Sequence, residues 1–303
     1  MLTIINNNTD PRFNLAVEEY VLKYLNLDED ILLVWQNSES VIIGRHQNPF
    51  LELNGSFIKT KNIPVVRRNS EGKAIFHDLG CVNYAFVTKK EIKNTNKNNT
   101  LLDPIVLVLR SLGINVHIKK ANLYIGKDKV SLNSQSKYRS KTIHHGILYI
   151  DTDFTVMNTV HKNMKTDLVN IKKHFKQLMT VAMFRVTLLN ELLGGEVTSK
   201  IYKLDDFDLD KIKELVKTKY GNWEWNYGES PEFLVKKEYE NRMLITLIVK
   251  KGIIEDIFID SFENTIKLEK ALINIRFNED ELTSVLREFK DINTDKMIHL
   301  LLY

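Results

Sequence analysis

The chain has 303 residues, 43% of them hydrophobic and 27% charged, which is the balance of a globular protein and excludes a disordered or fibrous one. A formal net charge of +4 is too small to argue for nucleic acid; a local basic patch would suit an acidic protein partner better. No apolar run approaches the roughly 18 residues of a membrane span, and the single cysteine, Cys81, excludes a disulfide framework and points to a reducing cytoplasm.

The length suggests two domains. Met1 to Asn6 has neither a basic flank nor a long apolar core, so no signal peptide is expected. Asn14 to Leu25 carries an apolar stripe behind Asp10-Pro11 and is predicted as a helix. Its Glu18 and Glu19 are expected on the solvated face, because carboxylates are seldom buried. Ile31 to Trp35 and Ser40 to Gly44 are predicted strands, and Gln36-Asn37-Ser38-Glu39 between them carries a hairpin signal. By residue type alone Trp35 belongs to the core. His46, in the turn from Gly44 to Pro49, is either a buried structural histidine or a loop donor.

The densest chemistry lies in Val65 to Gly80, which reads as a strand, a loop of donors and a second strand. Gly72 allows a close backbone approach. Arg67 or Arg68 can fork onto a phosphate or carboxylate, and loop N–H groups between two strands can form an anion nest. A basic hairpin on a solvated face accounts for the same residues equally well. Cys81 follows. Its neighbour His77 could activate a thiol, but free cysteines are usually buried and inert, and the structural reading is preferred.

Lys89 to Thr100, rich in Lys and Asn, is predicted as a mobile connection. A helix over Leu101 to Leu112 starts at Asp103-Pro104 and stops at Gly113. Strands are predicted at Ile114 to Ile118, at Leu123 to Ile125 and Val130 to Ser134 around the turn Gly126-Lys127-Asp128, and at Ile143 to Ile150. His144 and His145 must point to opposite faces of that last strand, so a shared metal is not expected. Helices are predicted at Thr180 to Leu193, before Gly194-Gly195, and at Asp208 to Lys219, with a domain boundary near residue 203 between them. Beyond Trp223–Pro231 come antiparallel strands at Leu234 to Glu240, Met243 to Lys250 and Gly252 to Ile259, then helices around Lys267, Glu279 and Asp295. Trp223 and Trp225 are expected to clasp the two domains.

Several blocks resemble the lipoate–protein ligase A family, in that family's order. They are Asn14-Leu15-Ala16-Val17-Glu18-Glu19, Ile43-Gly44-Arg45-His46-Gln47-Asn48-Pro49, Arg67 to Asp78, Lys129-Val130-Ser131, His144-His145-Gly146 and Trp223 to Pro231. The resemblance covers almost the whole chain. It implies an α+β fold: a catalytic domain with mixed sheets and flanking helices over residues 1–203, like the biotinyl/lipoyl protein ligases, and a small α/β accessory domain over 204–303.

The resemblance also implies an activity. Lipoate and Mg2+-ATP give lipoyl-AMP, and the lipoyl group then passes to a lysine of a lipoyl-domain acceptor, either a 2-oxoacid dehydrogenase acyltransferase or a glycine-cleavage H-type protein. Lys129, at the spacing Gly126-x-x-Lys129-Val130-Ser131, becomes the catalytic cation; by residue type alone it would be a solvated lysine beside Asp128. Arg68, Lys73, Ala74, Ile75, Phe76 and Lys129 are expected around the adenylate. Leu15, Val17, Glu18, Trp35, Arg68, Ser70, Gly72, His77, Lys129 and His145 are expected around lipoate. The residues that would hold the metal are not identified. A cytoplasmic monomer is expected, with neither membrane nor nucleic acid as partner.

The chain departs from the family pattern at Glu71 and Lys73, which flank Gly72 in place of a glycine triplet. It departs again at Leu132, Leu123 and the segment Val169 to Lys172. These changes motivate two alternatives: a transferase working from lipoyl-AMP or another carrier without its own adenylation step, and a non-catalytic module that binds lipoate or lipoyl domains.

Overall fold

A computed structural model describes residues 1–89, 101–162, 165–194, 201–239, 243–261 and 265–303. The predicted connection from Lys89 to Thr100 lies, apart from Lys89, outside the described residues. The elements in chain order begin with β1 (Leu2–Ile5), α1 (Pro11–Lys23), β2 (Ile31–Trp35), β3 (Ser40–Ile43), α2 (Pro49–Glu52) and α3 (Gly55–Thr60). They continue with β4 (Val65–Arg67), β5 (Ile75–His77), β6 (Cys81–Thr88), α4 (Asp103–Ser111), β7 (Val116–Lys119), β8 (Asn122–Ile125), β9 (Asp128–Lys129), β10 (Ser131–Tyr138) and β11 (Lys141–Tyr149). Then come α5 (Phe154–Val160), α6 (Val181–Leu192), α7 (Asp206–Leu215), β12 (Phe233–Tyr239), β13 (Met243–Lys250), β14 (Ile253–Ser261), α8 (Ile266–Leu272), α9 (Glu279–Leu286) and α10 (Thr294–Leu302).

The residues group into two compact units. The first is Met1–Arg45, Pro64–Asn158 and Lys165–Tyr220; the second is His46–Ile63, Thr159–Met164 and Gly221–Tyr303. The boundary expected near residue 203 lies inside the first unit, because α7 packs on α1. Tyr20 in α1 donates to Asp208 in α7 at 2.5 Å, and Asp205 caps the N-terminus of α7 in a reciprocal box with Asp208.

The first unit is built on a five-stranded sheet of order β1-β2-β6-β11-β10, parallel only between β1 and β2. The segments ILLVW of β2 and CVNYAFVT of β6 are buried at every position, as near-continuous apolar runs require. One face of the sheet packs Leu32, Val34, Val82 and Phe86 against α4 and α6 through Ile105, Leu109, Phe184 and Leu188. The other face meets α1. A second sheet has the order β4-β3-β5, with β3 parallel to β4 and antiparallel to β5. The hairpin expected between β2 and β3 therefore does not form. Gln36 to Glu39 instead carry the chain from one sheet to the other, and the polar turn signal is local whereas the pairing is not.

The charges of α1 are a second correction. Glu18 and Glu19 are 6% and 3% exposed, not solvated. The helix is covered on both sides, by the sheet through β6 and β11 and by α7 and the turn that follows it. Asp10 caps this helix and Pro11 sits in its first turn.

In the second unit, β12, β13 and β14 form an antiparallel meander whose buried face packs on α8, α9 and α10. Trp223 stacks on Tyr227 within that unit. No helix among the described residues is long and apolar enough to cross a membrane.

Candidate active site

A cleft with about 450 Å³ of free space, open solvent at its mouth included, lies in the first unit between α1, the β4-β3-β5 sheet and the face of the large sheet. Its floor follows strand register. Trp35, Asn83, Ile147 and Leu132 lie in one row across β2, β6, β11 and β10. Two residues along, the next row is Leu33, Ala85, His145 and Ser134, and His145 and Ser134 line the cavity. Leu15 and Glu18 enter from α1, and Ile42, Arg68, Ile75 and His77 from the smaller sheet. Gly146 gives the row between these its shape: a Cβ there would stand 2.1 Å from Asn133 Oδ1 and 2.5 Å from the Tyr84 hydroxyl, which themselves hydrogen bond.

Of the residues expected around lipoate or adenylate, Leu15, Glu18, Trp35, Arg68, Ile75, His77 and His145 converge on this cavity. Val17, Ala74 and Phe76 are buried in packing outside its lining, and Gly72 and Lys73 are exposed. Ser70 stands behind His145 and lines a smaller cavity of about 270 Å³. Lys129 lines neither of the two. Leu132, one of the positions at which a departure from the family pattern is expected, lines the cavity.

Arg68 braces its own loop. Its Nη1 donates to the carbonyl of Ile42, its Nη2 to the carbonyls of Glu71 and Lys73, and its Nε to Ser70 Oγ, at 2.9 to 3.0 Å. Burial lowers its pKa to about 10, against the charge of Glu18, so it stays cationic at neutral pH. The loop also presses on β3. A Cβ on Gly44 would lie 2.0 Å from the carbonyl oxygen of Gly72, whose φ of +114° lies in the region open to glycine.

His145 is held at both ring nitrogens. Nδ1 meets Glu18 Oε1 at 2.7 Å and Nε2 meets Ser70 Oγ at 2.7 Å. Because Ser70 Oγ accepts from Arg68 Nε, its own proton is free to point at Nε2, which assigns the imidazole proton to Nδ1. The connectivity is that of an acid–His–Ser triad, but Ser70 is 3% exposed and tied on both sides. Here the chain works as a strut that fixes one wall of the cavity. Behind it, Glu19 takes hydrogen bonds from Lys23, Lys219, Asn69 and Tyr220 at 2.6 to 3.0 Å. Burial pushes the Glu19 carboxyl up, but these donors outweigh it and hold its pKa at about 2.

His77 is oriented by a relay of asparagines that sequence reasoning missed. Asn6 donates to Asn14 Oδ1, Asn14 to Asn37 Oδ1, and Asn37 Nδ2 faces His77 Nδ1 at 2.9 Å. Each amide fixes the next, so His77 Nδ1 accepts and its proton sits on Nε2. Burial, and after it the positive charge of Arg68, lowers the His77 pKa to about 3, so the ring offers a neutral dipole. The available signal was a set of asparagines at the edges of apolar runs, where a polar residue needs a partner. Asn83 and Ile147 were also missed, since inside strands they looked like ordinary sheet positions.

Cys81 is fully buried between Asp78 and Thr152, and burial pushes its thiol up, so it is no nucleophile. His144 is 2% exposed on the face of β11 opposite His145, and burial lowers its pKa to about 4. Lys129 in β9 pairs with Tyr124 of β8, and its carbonyl accepts from the backbone N–H of Val169. Its ammonium holds both carboxylate oxygens of Asp167 at 3.0 Å. Among the described residues no group of three or more His, Cys, Asp or Glu is placed to hold a metal ion.

An α+β fold with a helix-walled, largely apolar cavity on a mixed sheet defines a class, and comparison with known proteins identifies it. The lipoyl protein ligase A/B catalytic domain matches residues 10–217. The chain belongs to the lipoate–protein ligase family. It is 33% identical to lipoate–protein ligase 1 of Staphylococcus aureus, over 99% of this chain and 100% of that one. It is 32% identical to a lipoate–protein ligase of Bacillus subtilis, over 94% and 93%. Among solved structures, a lipoate protein ligase of T. acidophilum with bound lipoic acid superposes with a TM-score of 0.68 at 21% identity, covering 75% of this chain and 98% of that one. A lipoate–protein ligase A bound with ATP gives 0.67 at 21%, over 75% and 98%. The bipartite T. acidophilum ligase, studied with its E2 lipoyl domain, gives 0.67 at 21%, over 75% and 96%.

Proposed function

We propose that this chain activates lipoate with ATP and transfers the lipoyl group to a lysine of a lipoyl-domain protein. It is a lipoate–protein ligase, as its full-length relatives are. The observation that carries the reading onto this molecule is the cavity: an apolar floor of Trp35, Ile147 and Leu132, roofed by Leu15, with fixed polar groups at Arg68, His77 and His145. That is the form of a small-molecule site, mostly apolar with a few preset polar groups.

The acyl chain lies in this cavity with its carboxylate toward the loop Arg68 to Phe76. Lys129 exchanges Asp167 for substrate anions, bridging the carboxylate and the α-phosphate. A carboxylate oxygen attacks the α-phosphorus and pyrophosphate leaves. The acceptor lysine then attacks the acyl carbonyl and AMP leaves, with no covalent enzyme intermediate. Mg2+ enters on the triphosphate, since magnesium commonly binds through substrate phosphates and one or two carboxylates. The acceptor is an acyltransferase or H-type lipoyl domain, and the ligase works as a cytoplasmic monomer.

The test is incubation of the protein with lipoate, MgATP and a panel of apo lipoyl domains, followed by mass spectrometry. A lipoyl mass shift on at least one domain that depends on ATP is expected. A shift obtained only from added lipoyl-AMP, with no pyrophosphate released from lipoate and ATP, would replace the ligase reading with that of a transferase.

A further inference from the structure

Asn83 stands in the middle of the cavity floor, between Trp35 on β2 and Ile147 on β11, with Ala85 two residues along. Its side chain is buried at 1% exposure, and its Nδ2 has no hydrogen-bond partner among the described residues. The other amides that line this cavity are engaged: Asn37 with Asn14 and His77, and Asn133 with Tyr84 and Ser131. An amide left unpaired among apolar groups is costly unless something in the cavity pairs with it. A half-turn about its last torsion exchanges oxygen and NH2, so the same residue can present a donor to the cavity.

We propose that Asn83 is a specificity-determining residue that selects an acyl chain carrying a weak hydrogen-bond acceptor in its tail, the dithiolane sulfur, over a plain hydrocarbon chain. The inference rests on the ligase reading above. Asn83 is assigned to the hydrocarbon part of the substrate, because its neighbours in the row are the indole of Trp35 and the side chain of Ile147. A saturated chain seated on this floor leaves the amide unpaired, so its binding carries the desolvation penalty. A thioether-like sulfur, being polarisable and a weak acceptor, removes part of it.

The test uses the full-length protein and three acids: lipoate, octanoate and 5-cyclopentylpentanoate, which keeps the ring and replaces both sulfurs with carbon. Calorimetric dissociation constants and acid-dependent kcat/KM are measured for the wild type and for Asn83→Leu, whose side chain is close in size but apolar. In the wild type, lipoate is expected to bind about tenfold more tightly than the carbocyclic analogue, a difference of about 1.4 kcal/mol. In Asn83→Leu the two are expected within about twofold of each other, chiefly because the analogue gains. Equal affinities in the wild type, or the same tenfold ratio in a folded Asn83→Leu, overturn the proposal. If the variant fails to fold, the wild-type comparison decides alone. Failure of the wild type to bind or ligate any of the three acids overturns the ligase reading, and this inference with it.

Discussion

The two polar constellations of the first unit are built on opposite principles. In the strut from Glu18 through His145 to Ser70 and Arg68, Glu18, Ser70 and Arg68 are buried, His145 is 15% exposed where it lines the cavity, and most donors and acceptors are paired at 2.7 to 3.0 Å. The Lys129–Asp167 pair has similar distances, but the lysine side chain is 18% exposed and the aspartate 71%. Breaking a buried ionic network costs about 3–5 kcal/mol, whereas an exposed ion pair is worth about 0–1 kcal/mol. The acyl wall is thus preorganised, and the cation proposed for the adenylation step is held by a partner that an incoming anion can displace.

The largest effect expected from this contrast is at Lys129. Lys129→Ala should abolish lipoyl-AMP formation and slow transfer from added lipoyl-AMP less, as read by single-turnover pyrophosphate release and acceptor mass shift. Lys73→Ala should retain most activity, because its side chain is exposed and only its backbone carbonyl is engaged, by Arg68. The reverse pattern would move the phosphate cation into the loop beside Gly72.

Arg68→Ala comes next. The side chain ties together four acceptors on β3 and its own loop. Its removal should destabilise the fold by about 3–5 kcal/mol, seen as a lower midpoint in denaturant, with Arg68→Lys rescuing little because a lysine lacks the fork. A midpoint unchanged within error, with nucleotide binding lost, would return Arg68 to the role of a direct phosphate ligand.

These two residues mark how far the sequence could be read. Seven of the residues named from the sequence, drawn from three of the family blocks and from Trp35, line one cavity, because strand register places Trp35 and His145 on one face once the strands are paired. What escaped depends on contacts far along the chain. The periodicity of α1 cannot reveal that Asp208, Lys219 and Tyr220, nearly 200 residues later, cover its second face and bury Glu19. Arginine 68 was legible as a cation in a loop, but not that the loop's own carbonyls consume it. The turn Gln36 to Glu39 carried the right local signal and the wrong partner, since β3 finds β4 and β5 instead of β2.

Acid should attack the preorganised side first. His77 and His144 are held neutral in the fold, with pKa values of about 3 and about 4, while the unfolded chain takes up a proton at each near 6.5. Between pH 6.5 and 4 the unfolded state therefore binds more protons, and stability falls with pH by up to about 1.4 kcal/mol per unit for each ring. Glu19 adds its loss only below about 4.5, where its unfolded carboxyl protonates, down to its folded pKa of about 2. Urea midpoints measured from pH 7 to 4 should decline across that whole range, and less steeply in His144→Leu. A flat profile down to pH 4.5 would mean that these imidazoles are not held neutral.

The smallest effect, and the sharpest on the exchangeable side, is at Asp167. Its carboxylate faces the Lys129 ammonium symmetrically, with both oxygens at 3.0 Å, in the position a substrate carboxylate or phosphate would have to take. If it only holds the lysine until substrate arrives, Asp167→Asn removes a competitor worth about 0–1 kcal/mol. The apparent KM for lipoate or ATP should then fall by up to about fivefold with kcat unchanged. The difference from wild type should shrink as salt rises, since an exposed pair is screened. If instead Asp167 keeps Lys129 aimed during catalysis, the variant loses kcat and its KM does not fall. Steady-state kinetics at two ionic strengths separate the two outcomes, and a drop in kcat would mean that the adenylation side is as preorganised as the acyl wall.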